Sequence, residues 1–317
     1  MSGNEVFTSA SIGVSLSSAG YVNPEHMLRD ADLAMYHAKL NGRARYEIFD
    51  ERMHANVVAR LQLETDLRHA IENREFHLNY QPIMLMDTGK IKGFEALVRW
   101  NHPNRGLLMP GEFISIAEDT GIILSLGKWV LEEACRQLSI WQKEVACDIS
   151  IGVNLSIKQF TPNLVATVKN AILKTGIKPE NLILEITESM IMENAESASN
   201  LLAELKTLNV KLHIDDFGTG YSSLSYLHQF PLDALKIDRS FIAKIGIDNN
   251  EKLEIVKAIA ALAGNLNLEV IAEGVETVEQ LTQLRHLNCK NMQGFLFSRP
   301  LDVESAGKFL RHSLNVG

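Results

Sequence analysis

VKLHIDDFGTG, residues 210–220, places two adjacent carboxylates, Asp215 and Asp216, at the end of an apolar run and just before a glycine-containing turn. Four other runs share this design: KIKGFEALVRW carries Glu95, ISIGVNLS carries Asn154, NLILEITES carries Glu185 and Glu188, and LEVIAEGVE carries Glu273 and Glu276. Each is apolar and β-branched before its polar residue, and each precedes a helix-like stretch. Strands that alternate with helices imply parallel strands in a βα repeat. In a closed (β/α)8 barrel the strand ends at one face meet in a single pocket, so acids far apart in sequence become neighbours. The expected fold is therefore α/β, a TIM-type barrel. Its first strand is expected to be antiparallel, because residues 79–100 form two strands joined through the turn residues Asp87, Thr88 and Gly89.

The rest of the chain fits this frame. Apolar spacing predicts a strand over 6–16, a helix over 23–41 with Asn23 as N-cap, Pro24 at its first position and Gly42 as its stop, and a strand over 46–49. This small N-terminal α/β segment, residues 1–50, is followed by a linker helix over 51–73 and the barrel over 74–317. Further helices are expected over 111–119, 125–143, 163–175, 195–208, 222–228, 249–264, 278–287 and 303–310. Strands are expected over 150–155, 182–187, 211–215, 234–237, 268–272 and 291–293.

Composition narrows the function. With 31 Lys and Arg against 39 Asp and Glu in 317 residues, the net charge of −8 argues against DNA as a partner. Cys135, Cys147 and Cys289 form no CxxC pair, so neither a disulfide framework nor a thiolate zinc site is expected. No basic leader or spanning apolar stretch stands out, and a soluble, cytoplasmic chain is expected, any membrane anchor lying upstream.

Oxygen donors without thiolates or paired histidines favour a hard cation such as Mg²⁺ or Mn²⁺. The pair Asp215 and Asp216 suits two ions that clamp an in-line phosphoryl displacement. Alone, it would equally suit a helix N-cap followed by a solvated acid. Ca²⁺, with longer bonds and more ligands, is expected to inhibit. Lys236 in ALKID is either tuned for proton work or held in an interior ion pair with Asp238, two residues on. Gln81 and Gln293 would bind a base edge or satisfy turn backbone. Arg99 would meet a phosphate or form a surface salt bridge. A lyase barrel using Lys236 as base is the remaining enzymatic reading.

FEALVRW at 94–100 resembles the signature of the EAL-domain cyclic-di-GMP phosphodiesterases. QPI (81–83), GVNLS (152–156), LEITES (184–189), IDDFGTGYSSL (214–224), LKID (235–238), AEGVE (272–276) and QGFLFSRP (293–300) look like that family's blocks, in its order. The resemblance implies cleavage of one phosphodiester of cyclic-di-GMP to linear pGpG. It implies that Glu95, Asn154, Glu185 and Asp215 hold one Mg²⁺ or Mn²⁺ and that Asp215, Asp216 and Glu273 hold a second. Lys236 would position the attacking water, and Glu188 would brace the DDFGTGYSSL loop, which in the family links metal binding to dimerisation. Gln81, Arg99, Asp238, Glu276 and Gln293 would contact substrate or support the metal ligands. All these positions match, which favours hydrolysis over a non-catalytic receptor. A homodimer through the barrel is implied too. One departure is Ser115, where the family commonly has Pro.

ASIGVS at 10–15 and DADLAMYHAKLNGRARYEIFD at 30–50 resemble the C-terminal part of a GGDEF diguanylate cyclase domain. The GGDEF residues themselves do not occur, so the resemblance implies an upstream cyclase half and sensor, with no cyclase activity here.

Overall fold

Asn23 Oδ1 accepts the backbone N–H of Glu25 at 2.9 Å, where the helix Pro24–Leu40 begins. Proline is tolerated there because a first-turn N–H has no intrahelical partner. The computed structural model describes residues 8–17, 21–40, 42–145, 147–192, 195–219, 227–246 and 251–315, and the chain divides into two compact units, residues 1–69 and 70–317. In the first unit this helix packs on two parallel strands, β1 (Ile12–Val14) and β2 (Tyr46–Ile48). Among the described residues the strand expected over 6–16 spans only Ile12–Val14, since β2 offers only three partners. The helix Glu51–Ala70 follows and ends before residue 73.

In the second unit, β3 (Phe76–Leu85) and β4 (Ile91–His102) form a long hairpin, to which β5 (Gly106–Leu108) adds a short edge that sequence reading did not anticipate. The strands β6 (Ser150–Asn154), β7 (Leu182–Thr187), β8 (Lys211–Phe217), β9 (Ala234–Ile237), β10 (Glu269–Ala272) and β11 (Asn291–Met292) then follow one another around a ring. The order β3-β11-β10-β9-β8-β7-β6-β4 closes on itself through the β3–β4 pairing, so eight strands form a barrel. From β4 through β6 to β11 the neighbours are parallel; β3 is antiparallel to both β4 and β11 and sets Gln81 opposite Glu95.

Parallel strands buried on both faces read as continuous apolar runs. LILEI of β7 is buried throughout. Alternation puts Ile183 and Glu185 on one face of that strand and Leu184 and Ile186 on the other. Ile83, Ala234 and Ile271 form a buried apolar cluster from β3, β9 and β10. Outside, the helix Ile123–Val145 brings Trp141 to within 4.8 Å of the Tyr80 ring and 4.9 Å of the Phe94 ring. Those contacts lock the helix onto β3 and β4, and removing the indole would cost about 3–5 kcal/mol. The helix expected over 222–228 falls largely in residues 220–226, outside the described set.

Candidate active site

Lys236 on β9 is fully buried, and its Nζ lies 2.7 Å from Glu273, 2.8 Å from Glu185, 3.3 Å from Asp215 and 3.5 Å from Glu95. Closure of the barrel thus gathers carboxylates from β4, β7, β8 and the end of β10 around one ammonium. The interior pair with Asp238 does not form. Asp238 lies past the end of β9, where its carboxylate accepts the Ser240 N–H at 2.9 Å and caps the short helix Arg239–Ile242.

Glu95 is also held by amides. It accepts from Asn154 Nδ2 at 2.7 Å and from Gln293 Nε2 at 2.6 Å; the same Gln293 nitrogen lies 3.0 Å from Gln81 Oε1, and Gln81 donates to the Ser298 carbonyl at 3.2 Å. This chain of amides crosses β6, β4, β11 and β3. It fixes the Glu95 carboxylate, and Asn154 keeps its Oδ1 available as a ligand.

The charges are unequally satisfied. Burial would strip Lys236 of its proton, but Glu185, Glu273, Glu95 and Asp215 outweigh it and hold the ammonium well above its usual pKa. Burial also disfavours ionised Glu95, yet Lys236, Gln293 and Asn154 prevail and lower its pKa. Burial raises Glu185 far above the carboxylate range, with Glu95 and Asp215 adding to it beyond what Lys236 offsets. Glu273 is pushed up to about 8 by burial, with repulsion from Asp215 and Glu95 in the same direction. Asp216 rises to about 6 through burial and the nearby Asp215 and Asp238.

Four carboxylates around one ammonium, with Asp216 beside Asp215, leave excess negative charge, and Glu185 Oε1 is buried with no hydrogen-bond partner. Asp215, Asp216 and Glu273 can each present an oxygen such that all three lie within 4.8 Å of one another. An all-oxygen set of this kind fits a hard divalent cation. Asp216 takes the left-handed φ of 53°, an uncommon conformation for a non-glycine residue and one found at functional sites.

The loops around this centre are fixed from below. Glu188 is the first residue of the helix Glu188–Met192, because β7 ends at Thr187. Its buried carboxylate accepts the Gly218 N–H at 3.0 Å. Thr277 and Gln280 form a capping box at the helix Val278–His286, and Gln280 Oε1 accepts the Glu276 N–H at 2.8 Å. Arg99 is neither a surface group nor part of the cavity wall: it is 7% exposed, and its Nη1 donates to the Val98 carbonyl at 2.8 Å.

A cavity of about 270 Å³ lies over the cluster, lined by Gln81, Glu95, Asp215, Glu273, Glu276 and Gln293, together with Arg239 and Phe295. A larger cavity of about 910 Å³, lined by Lys92, Glu269 and Lys290, opens at the strands' opposite ends, away from the acids. Chemistry rather than size marks the site, as expected at the C-terminal face of a barrel. Sequence reading missed Arg239, Gln280 and Ser298. Only Gln280 carried a local signal, the T-x-x-Q spacing of a capping box.

Residues 64–300 match the profile of the EAL domain. The bifunctional diguanylate cyclase/cyclic di-GMP phosphodiesterase MucR of Pseudomonas aeruginosa is 47% identical over 305 residues, an alignment covering 96% of this chain and 44% of that protein. The cyclic di-GMP phosphodiesterase PdeR of Escherichia coli is 39% identical over 311 residues, covering 98% of this chain and 47% of that protein. This chain therefore spans less than half the length of either relative. Among solved structures, the PaMucR phosphodiesterase in complex with c-di-GMP is 48% identical with a TM-score of 0.75, covering 77% of this chain and 99% of that one. No helix among the described residues is long and apolar enough to cross a membrane. With its strand-end acids, its closed barrel and a matching profile over most of its length, the chain belongs to the EAL domain family.

Proposed function

We propose that the barrel hydrolyses cyclic-di-GMP to linear pGpG in bacterial second-messenger signalling. The observation that carries this reading is the meeting of Glu95, Glu185, Asp215 and Glu273 on Lys236 beneath an open cavity. Relatives named cyclic di-GMP phosphodiesterases support it.

Two divalent cations, Mg²⁺ or Mn²⁺, would supply charge stabilisation at the phosphoryl oxygens and acidify a water. Glu95, Asn154, Glu185 and Asp215 would hold one, and Asp215, Asp216 and Glu273 the other; the partnerless Glu185 Oε1 and the crowded acids suit that role. Lys236, locked by four carboxylates, keeps its N–H groups in fixed directions and orients the attacking water. The water oxygen bonds to phosphorus, the P–O3′ bond breaks, and the 3′ oxygen takes up a proton, leaving the phosphate on the 5′ side. Glu188 braces the Gly218 turn beside Asp215 and Asp216. Gln81, Glu276 and Gln293, which line the cavity, contact substrate, while Arg99 and Asp238, outside its wall, hold the site's elements in place.

The barrel acts as a homodimer in the cytoplasm, without DNA as a partner. Residues 1–50 are the end of a GGDEF domain, with its remainder and a sensor upstream. The MucR alignment, covering 96% of this chain, supports that placement. Incubating the chain with cyclic-di-GMP and Mg²⁺, and separating products by chromatography, tests the activity. Linear pGpG is expected; bound but intact dinucleotide would make the protein a receptor.

A further inference from the structure

We propose that Arg239 is the countercharge for the phosphate that is not being cleaved, so that it sets the preference of this site for a cyclic dinucleotide over a simple phosphodiester. The inference rests on the reading of the site as a cyclic dinucleotide phosphodiesterase.

Arg239 lies directly after Asp238 and opens the helix Arg239–Ile242, whose N-terminus Asp238 caps. It is the one cationic residue lining the cavity among the described residues, facing a wall that includes Glu95, Asp215, Glu273 and Glu276. It is exposed, and no carboxylate among the described residues forms an ion pair with it. Its position is nevertheless fixed. Gly274 has a φ of 69°, and a Cβ there would fall 2.4 Å from Arg239 Cβ and 3.2 Å from its Cα. The backbone of residue 239 therefore packs on the loop between Glu273 and Glu276, where only glycine fits.

Neighbouring cations are committed elsewhere. Lys236 is surrounded by four carboxylates, Arg99 is buried against the Val98 carbonyl, and the Arg299 guanidinium stacks over Phe295 at 4.4 Å. A cyclic dinucleotide brings two phosphodiesters, each with one negative charge. The one being cleaved sits over the acid cluster and its cations. The other meets the cavity wall, where uncompensated acids would repel it. An arginine already free of acids can instead offer it two parallel N–H donors. Because this phosphate does not react, its contact is equally strong in ground and transition states and acts on KM rather than on kcat.

The test uses the full chain with Arg239→Ala and Arg239→Lys. Steady-state kinetics with Mn²⁺ are measured on cyclic-di-GMP and on bis(p-nitrophenyl) phosphate, which has one phosphate. Binding of cyclic-di-GMP is measured by calorimetry in Ca²⁺. For Arg239→Ala, KM and Kd for the dinucleotide should rise about 10- to 100-fold, with kcat within about twofold. The ratio of kcat/KM between the two substrates should fall by the same factor, and Lys should restore part of it. Unchanged KM and Kd, or equal losses on both substrates, would overturn the role of Arg239. If the unaltered chain binds the dinucleotide without cleaving it, only the hydrolytic reading fails, and the Kd comparison still decides Arg239. If it neither binds nor cleaves, both readings fall.

Discussion

On the β4 side of the mouth, Glu95 receives donors from Asn154, Gln293 and Lys236; on the β8 and β10 side, Asp215, Asp216 and Glu273 crowd one another with Lys236 as their shared cation. The consequence is visible in their protonation. The pKa of Glu95 is lowered, whereas that of Asp216 rises to about 6 and that of Glu273 to about 8. The same side chain chemistry is thus pre-organised by amide donors on one side of the site and crowded by like charge on the other. Hydrogen-bond donors, rather than burial, make the difference, since Glu95 is itself buried.

The strongest way to break this contrast is to remove Glu95. Glu95→Ala leaves the Asn154 amide without its acceptor, leaves Gln293 with Gln81 alone, and takes a charge from the proposed metal set. Hydrolysis should fall to background and Mg²⁺ binding by calorimetry should weaken strongly. Near-normal turnover would remove the metal assignment.

Removing the shared cation should act on both sides at once. Lys236→Ala should lower kcat by roughly 10² or more, the scale of a group that positions a water or moves a proton. Because it leaves buried acids unpaired, it should also cost about 3–5 kcal/mol of stability in denaturant titrations at pH 7. A variant with full stability would show that the four carboxylates do not depend on Lys236.

The donor-poor side makes metal-free stability depend on pH. Folded Asp216 and Glu273 have raised pKa values, while unfolded carboxyls titrate near about 4. The folded chain therefore keeps protons that the unfolded chain releases. This contribution is fully present below about pH 4 and is lost as pH rises through about 6 and about 8, on the order of a few kcal/mol. Glu185 pulls in the same direction and Glu95 against it. Thermal melts in EDTA should drop between pH 5 and 8, and Mg²⁺ should restore the upper end. A flat EDTA profile would mean that the acids are not crowded in solution.

The smallest effect should come from the brace beneath the donor-poor side. Glu188→Ala removes the acceptor of the Gly218 N–H and should reduce activity about tenfold while leaving the barrel's melting temperature nearly intact. Hydrogen exchange at Gly218 and Thr219 should accelerate. Unchanged exchange together with unchanged activity would mean that Glu188 does not brace the loop.

By itself the sequence determined the βα alternation, the places of Asp215, Asp216 and Glu273 at or just past strand ends, and the turn at Asp87, Thr88 and Gly89, whereas Glu95 lies in the middle of β4 and Glu188 opens a helix. Such features depend on periodicity and turn chemistry within a few residues, so they are legible locally. Which groups meet is a different matter. Lys236 reaches Glu185, 51 residues away, rather than Asp238, two residues away, because strand register and barrel closure aim both side chains into one interior. Glu188 became a loop anchor only because β7 stops one residue before it. Arg239 gained its place only through the close approach of Gly274. Tertiary structure alone decided those partnerships, because a contact between strands is set by the geometry of the closed ring, and nothing in either residue's own neighbourhood encodes it.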